Sequence, residues 1–296
     1  MSAVLEKRKE SQAHAVATHR GITRALILIL TFGLLGLISL IFLFPFIWAI
    51  LSSLKVSGEI LMVPIRWLPK EAQWHHYVDI FSAIPFGRSF LNSLVVSTTV
   101  SVSVVAFGSM AGFALAKYEF PGQNLILMFV LSTMMVPYFV FLIPSFFMVY
   151  AFGWVNTYWA LIVPVCITAF GIFFMRQFIE GTVPDELIDA GRIDGCSELR
   201  LFVSIVMPLC KSAYVVLGVT TFIANWNEFL WPLVVTNSQD MYTVQVLLST
   251  LQDSYGGMRH MPLLLAGTTV AVIPGMLLFL LAQRQIVQGI AVTGIK

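Results

Sequence analysis

The chain has 296 residues, of which 58% are apolar and only 11% charged, with 24 Phe, 13 Met and a mean hydropathy of +0.88. Soluble domains carry roughly 25% charged residues, so a soluble enzyme is excluded, and a net charge of +2 gives no argument for a nucleic-acid partner. Cys166, Cys196 and Cys210 share no metal-like spacing and are odd in number, which argues against a disulfide framework.

The first 24 residues are polar and mixed in charge, and the sequence predicts a mobile cytoplasmic arm over 1–24. Ala25–Leu54 then runs 30 residues without a charge, twice the length of a signal-peptide core and with no obvious small-residue cleavage site, so it is expected to stay as a membrane span. The loop 55–88 interleaves Trp67, Trp74 and Tyr77 with Lys70, Glu71 and Asp79; an interfacial amphipathic segment and a surface for an external protein both fit it. Ser89–Ala116 is free of charge for 28 residues, and Gly108, Gly112 and Ala116 fall four apart, a small-xxx-small pattern that predicts close helix packing. Phe120–Met175 is uncharged for 56 residues. That is too long for one span of about 20 residues, and an interruption near Gly153–Asn156 predicts two. Ser212–Asn227 is uncharged for 16 residues before Glu228 intrudes, and Met261–Gln283 adds 23 more.

The predicted spans are therefore 25–54, 89–116, 124–150, 157–175, 212–235 and 261–283. Backbone polar groups in hydrocarbon must be satisfied within each segment, so the expected fold is all-α: one six-helix membrane domain over 25–283 with a tail at 284–296. Pro45, Pro137, Pro144, Pro164 and Pro274 are expected to kink helices. With both termini inside, Lys and Arg divide 12 to 5 in favour of the cytoplasmic segments, which predicts an N-in, C-in topology.

The cytoplasmic loop 176–211 holds six acids and four bases, the densest charge in the chain. Thr182-Val-Pro-Asp185 fits a capping box, with Pro184 in the first turn of a short helix over Glu186–Ala190. Glycines at 191 and 195 suit a tight turn, and Ser197 can cap a second helix over Glu198–Val206. A helix-turn-helix with Ala190, Gly191 and Gly195 on it would let another protein approach its backbone; a plain connecting loop explains the charges alone.

No G-x-x-x-x-G-K-[ST], H-E-x-x-H or G-x-S-x-G motif occurs, so no ATP-binding loop or hydrolytic site is expected in this chain. The histidines lack ligand spacing, and paired intramembrane acids are missing, Glu228 being the one candidate.

The stretch Asp189-Ala-Gly-x-x-x-Gly195-x9-Ile205-x-Met-Pro208 resembles the EAA signature, E-A-A-x-x-x-G-x9-I-x-L-P, of the membrane subunits of binding-protein-dependent ABC importers. It departs from that signature at Asp189, Gly191 and Met207, each by a conservative change. Pro184–Gly195, Lys117-Tyr-Glu-Phe-Pro-Gly122, Asn225-Trp-Asn-Glu-Phe-Leu-Trp-Pro232 and the tail Gln283-Arg-Gln-Ile-Val-Gln-Gly289 to Gly294-Ile-Lys296 are similar to the carbohydrate branch of that family, the type of the second permease of maltose transporters. The resemblance implies a type I importer permease in the bacterial inner membrane. It further implies a second permease of similar fold, favouring a heterodimer, an extracytoplasmic binding protein, and two ATPase subunits that carry the ATP and Mg. On that reading Glu186, Asp189, Ala190, Gly191, Asp194 and Gly195 are the ATPase-docking residues of a cytoplasmic coupling helix.

Asn225, Trp226, Asn227, Glu228 and Trp231 gather amides, a carboxylate and indoles near the outer half of the fifth span. On one continuous helix Asn227 and Trp231, and Asn225 and Glu228, would share faces. A sugar path needs aromatic faces for C–H surfaces and polar groups for hydroxyls; an aromatic belt with a polar helix contact is the competing reading. The competing functional class is a self-sufficient carrier or channel that uses Glu228 as an ion site, and a membrane-embedded enzyme is a third that lacks any catalytic constellation.

Overall fold

The computed structural model describes the backbone of residues 2–254 and 260–293 and the side chains of 26–251 and 260–285. The arm's charged side chains, Arg259 and the tail's Gly294–Lys296 lie outside the described residues.

Helix α1 (Ser2–Ser53) takes in the predicted arm as well as the first span, so the backbone is helical from Ser2 onward. Ala, Glu, Lys and Gln, all good helix formers, dominate its start. The stretch Leu26–Ser53 is apolar, and none of its most apolar window is buried within the chain. A short α2 (Ser57–Ile60) and then α3 (His76–Ala83) follow. Between them the loop folds over Lys55, which is fully buried; its Nζ donates to the Arg66 carbonyl at 2.7 Å and lies 4.2 Å from the Trp48 ring centre. Trp67 and Trp74 stay exposed, while Ile80 of α3 is buried, so the loop 55–88 contains a packed helix that the sequence reading did not anticipate.

Helix α4 (Phe86–Lys117) is the central element. Its buried stripe combines Val96, Val100 and Val104 with Ser89, Ser93, Ser97 and Ser101, small side chains that let neighbours come near. Helices α5 (Gln123–Met135) and α6 (Tyr138–Ala151) replace the single predicted span 124–150 and meet at an angle of 102°. Pro137 is the cause: it has no N–H to give, and it holds Val136 extended at φ −81°, ψ 124°.

Helix α7 (Tyr158–Ile162), a 3-10 turn at Val163–Val165 and α8 (Ala169–Thr182) form the next bent pair, at 42°. Pro164 lies in the 3-10 turn just before the break, and Thr168 caps α8 by accepting from the Gly171 N–H at 3.1 Å. Here α4 and α8 pack backbone to backbone. A Cβ on Gly108 would sit 3.0 Å from the Gly171 carbonyl carbon, so the predicted close approach is realised against α8.

Helix α9 (Asp185–Ile193) is followed by α10 (Glu198–Leu201), a π-helical turn (Phe202–Val206) and α11 (Met207–Leu209). At Cys210 this arm turns by 81° into α12 (Lys211–Trp226). The predicted span 212–235 is not continuous: the helix stops at Trp226 and resumes as α13 (Leu230–Val235). Helix α14 (Val244–Ser254), unanticipated from the sequence, buries Val244, Val246, Leu247, Leu248 and Leu251. Helix α15 (Met261–Thr293) runs unbroken through Pro274 and beyond the predicted end at 283.

Among the described residues three helical stretches, in α1, α4 and α15, are long and apolar enough to cross a membrane, and three bent pairs reach that length together. Two apolar cores hold the bundle. One joins α4, α8, α10 and α12 around Val104, Met175, Ile179, Leu201 and Leu217. The other joins α3, α4, α12, α14 and α15 around Ile80, Phe86, Trp226 and Leu247.

Candidate functional site

The EAA-like segment forms a compact helical hairpin at the Lys117 end of α4. Its start differs from the predicted capping box: Thr182 is the last residue of α8, and Pro184 precedes α9 with no side-chain cap. Asp185 and Glu186 fill the first turn instead, where negative charge favours a helix start. Helix α9 runs three residues past the predicted end at Ala190 and takes in Gly191, and the turn falls at Gly195 as predicted. Gly195 adopts φ +76°, its N–H reaches the Arg192 carbonyl at 3.0 Å, and the Cys196 N–H reaches Gly191 at 3.0 Å, a Schellman closure that a glycine makes without steric cost. Ser197 accepts from the Arg200 N–H at 3.4 Å and so caps α10.

Glu186, Asp189, Ala190, Asp194 and Gly195 are exposed on this hairpin. Gly191 is not: it is buried, and a Cβ there would meet Leu201 Cδ2 at 2.4 Å, so its smallness closes the hairpin on itself rather than admitting a partner. The sequence reading missed the apolar members of the exposed face. Leu187, Ile193 (87% exposed) and Leu199 stand exposed among the charges. Apolar residues inside the most charged loop were the available signal.

Two polar ties brace the hairpin against α4. Lys117, whose side chain is almost fully buried, pairs with Asp185 at the start of α9. Beyond it the Tyr118 hydroxyl donates to Glu198 Oε2, and Arg192 donates to Glu198 Oε1 at 3.0 Å while its guanidinium lies 5.4 Å from the Tyr118 ring centre. Hydrogen bonds from Arg192 and then Tyr118 hold the Glu198 carboxyl below its ordinary range. Burial first, and then the Glu198 carboxylate, push the Tyr118 hydroxyl up to about 12.

The second predicted site is rearranged by the break after Trp226. Trp226 is buried, stacks on Phe222 with ring centres 5.7 Å apart, and donates its indole N–H to the Ala271 carbonyl at 2.9 Å. Trp231 is also buried, and its indole N–H reaches the Ala160 carbonyl at 2.9 Å. Both indoles therefore fasten helices, and no open aromatic face is left on them for a ligand. Because 227–229 leaves the helix, Asn227 and Trp231 do not share a face as predicted. Asn225 and Asn227 donate back to the Thr221 and Ile223 carbonyls at 2.9 Å each, and Asn227 is exposed. Glu228, half-buried, accepts the Leu230 and Trp231 N–H groups at 3.0 and 3.1 Å, which makes it the cap of α13.

Two asparagines outside the predicted site order the opposite end of the bundle. Asn156, at φ 63°, accepts from the Asn237 and Ser238 N–H groups, and buried Asn92 donates to the Asp240 and Tyr242 carbonyls at 2.8 and 3.0 Å. Among the described residues no cluster of His, Cys, Asp or Glu could hold a metal.

A helical bundle with apolar span-length helices and a braced, exposed hairpin at one end defines a multi-pass membrane protein. The chain belongs to the family of binding-protein-dependent transport system inner membrane components, whose family model matches residues 104–292. Curated relatives cover nearly its whole length. The arabinooligosaccharides transport system permease protein of Bacillus subtilis (strain 168) is 36% identical over 88% of this chain and 92% of its own. The lactose transport system permease protein of Rhizobium radiobacter is 30% identical over 88% and 94%. The sn-glycerol-3-phosphate transport system permease protein of Yersinia enterocolitica is 30% identical over 85% and 91%. Among solved structures, a chain of a bacterial ABC transporter involved in the import of the acidic polysaccharide alginate superposes with a TM-score of 0.75, covering 86% of this chain and 95% of that one at 21% identity, a likeness of fold.

Proposed function

We propose that this permease carries a sugar or short oligosaccharide inward, driven by ATP and Mg bound in two partner ATPase subunits, and that it works beside a second, different permease and receives substrate from an extracytoplasmic binding protein. The observation that carries this reading is the docking hairpin: a capped helix presenting Glu186, Leu187, Asp189, Ala190 and Ile193 outward, braced from behind by Lys117 and Tyr118. A self-sufficient carrier has no use for such an element, and Glu228 is engaged in capping a helix. Six spans with both termini in the cytoplasm follow if each bent pair crosses the membrane once, a count supported by the 12-to-5 distribution of basic residues. The apolar surface of Leu26–Ser53 suits lipid and the second permease.

The carbohydrate class is supported by the arabinooligosaccharide and lactose relatives. For the substrate path we place the polar contacts at the break itself, on Asn225, Asn227 and Glu228, with Trp226 and Trp231 holding that break in position. The test is uptake by the complete assembly in lipid vesicles, using radiolabelled arabinotriose and lactose with ATP inside. Uptake that needs ATP and the binding protein, and persists with a protonophore, is expected; uptake that ignores ATP and collapses with the proton gradient would return the alternative of an ion-coupled carrier.

A further inference from the structure

We infer that Tyr118 is a positioning residue that passes movement of the docking hairpin directly into α4, bypassing the covalent connections through α8 and α12. This rests on the reading of the hairpin as the ATPase-docking element and extends it to a force path. The hairpin is tied to α4 at two separated points, Asp185 at the start of α9 and Glu198 at the start of α10, through the adjacent residues Lys117 and Tyr118. One tie alone would leave the hairpin free to pivot; two fix its orientation about the end of α4. Glu198 also receives Arg192, which in turn reaches Asp189 at 3.4 Å, so the exposed face of α9 and the hydroxyl of Tyr118 belong to one hydrogen-bonded chain.

Behind that chain stands an aromatic stack. The Tyr118 ring lies 5.4 Å from Phe113 in an edge contact, and Phe113 lies 5.6 Å from Phe202 in the π-helical turn. The tyrosine is thus polar toward the hairpin and apolar toward the core. On its α8 side, from Phe113 inward, α4 is packed closely: a Cβ on Gly112 would come within 2.7 Å of the Arg176 nitrogen, and Val104 and Val100 are buried in the shared core. Tightly packed interiors transmit displacement rather than absorb it. The covalent routes run through the extended Val183-Pro184 between α8 and the hairpin and through the bend at Cys210 between the hairpin and α12.

The test uses the complete assembly in vesicles, measuring ATP hydrolysed per radiolabelled arabinotriose or lactose imported, with ATPase co-purification in parallel. Tyr118→Phe keeps the ring and removes the hydroxyl, and it is expected to raise the ratio about fivefold while the ATPase co-purifies at its usual level, the scale set by losing one solvent-accessible hydrogen bond of ordinary net strength. Lys117→Asp should uncouple similarly, and adding Asp185→Lys should restore the ratio, a rescue that a general loss of folding could not produce. An unchanged ratio in Tyr118→Phe overturns the inference while wild-type ATP-dependent uptake leaves the docking reading standing. Loss of the ATPase from the Tyr118→Phe assembly also overturns it, by making the tyrosine a support of the docking face alone. Absence of ATP-dependent uptake in the wild type would overturn both.

Discussion

Gly112 of α4 and Arg176 of α8 meet so closely that a single added carbon on the glycine would lie 2.7 Å from the arginine's backbone nitrogen, with Met175 Cβ at 2.9 Å on the same side. Backbone cannot rotate away as a side-chain tip can, so the two helices must separate to admit even alanine. Gly112→Ala is expected to destabilise the bundle by about 1–3 kcal/mol. Thermal unfolding of the detergent-purified permease checks this, with Gly33→Ala, where nothing lies within 4 Å, as the neutral comparison.

Ala190 and Gly191 are sequence neighbours with opposite surroundings, one exposed and one against Leu201. Ala190→Trp should detach the ATPase or abolish ATP-driven uptake with thermal stability within about 0.5 kcal/mol of wild type, the usual range for surface changes. Gly191→Val should instead lower stability of the hairpin itself. Parallel co-purification and melting curves separate the two outcomes; equal behaviour of both variants would contradict the placement of Gly191 inside the hairpin.

At Gly195 the obstacle is conformational, since nothing lies within 4 Å but φ is +76°. A β-branched residue is strained there while asparagine tolerates the left-handed region. Gly195→Val should weaken ATPase co-purification more than Gly195→Asn, by a difference on the order of 1 kcal/mol. A docking titration against purified ATPase measures it.

The tie at Glu198 carries a pH signature. Its carboxyl titrates below the ordinary value of 4.5 because Arg192 and Tyr118 favour the ionised form. The stabilisation is therefore complete above the unfolded-state pKa and is lost as pH falls through the depressed folded value. Melting of wild type and Glu198→Gln should differ at pH 7 and converge in acid once pH has fallen through the depressed folded value; a difference that persists there would mean the glutamate acts through something other than its charge.

Glu228 offers a separation of charge from capping. Glu228→Gln retains a carbonyl oxygen to accept the Leu230 and Trp231 N–H groups, whereas Glu228→Ala leaves both without that partner. The alanine variant should cost about 1 kcal/mol of stability, as loss of a helix cap does, and the glutamine variant little. If the carboxylate also meets substrate, Glu228→Gln should change the KM for uptake while the melting temperature stays put.

The membrane class, the capped hairpin and the packing of Gly108 and Gly112 were legible because each is written in local terms: an uncharged run, a serine at a cap, glycines spaced four apart. What the sequence concealed was breakage. An uncharged run over 124–150 measures hydrophobicity and not continuity, and Pro137 turned out to end a helix where Pro45 and Pro274 lie inside unbroken ones. Which prolines break depends on whether neighbours can satisfy the freed carbonyls, a tertiary property. The surroundings of the indoles were hidden for a similar reason. Trp226 and Trp231 look alike as pathway residues until their N–H groups are seen to end on Ala271 and Ala160. Gly191 and Gly195 show the same limit within one motif, since one glycine serves contact and the other conformation.

Those two indole bonds have a mechanical corollary. Trp226 pins the end of α12 to α15, and Trp231 pins the start of α13 to α7, so the residues 227–229 between the two helices bridge a seam whose banks belong to different parts of the bundle. Any sliding of α15 past α7 must be absorbed in Asn227, Glu228 and Phe229. Because both hydrogen bonds of the Glu228 carboxylate end on Leu230 and Trp231, it travels with the α13 bank when the two part.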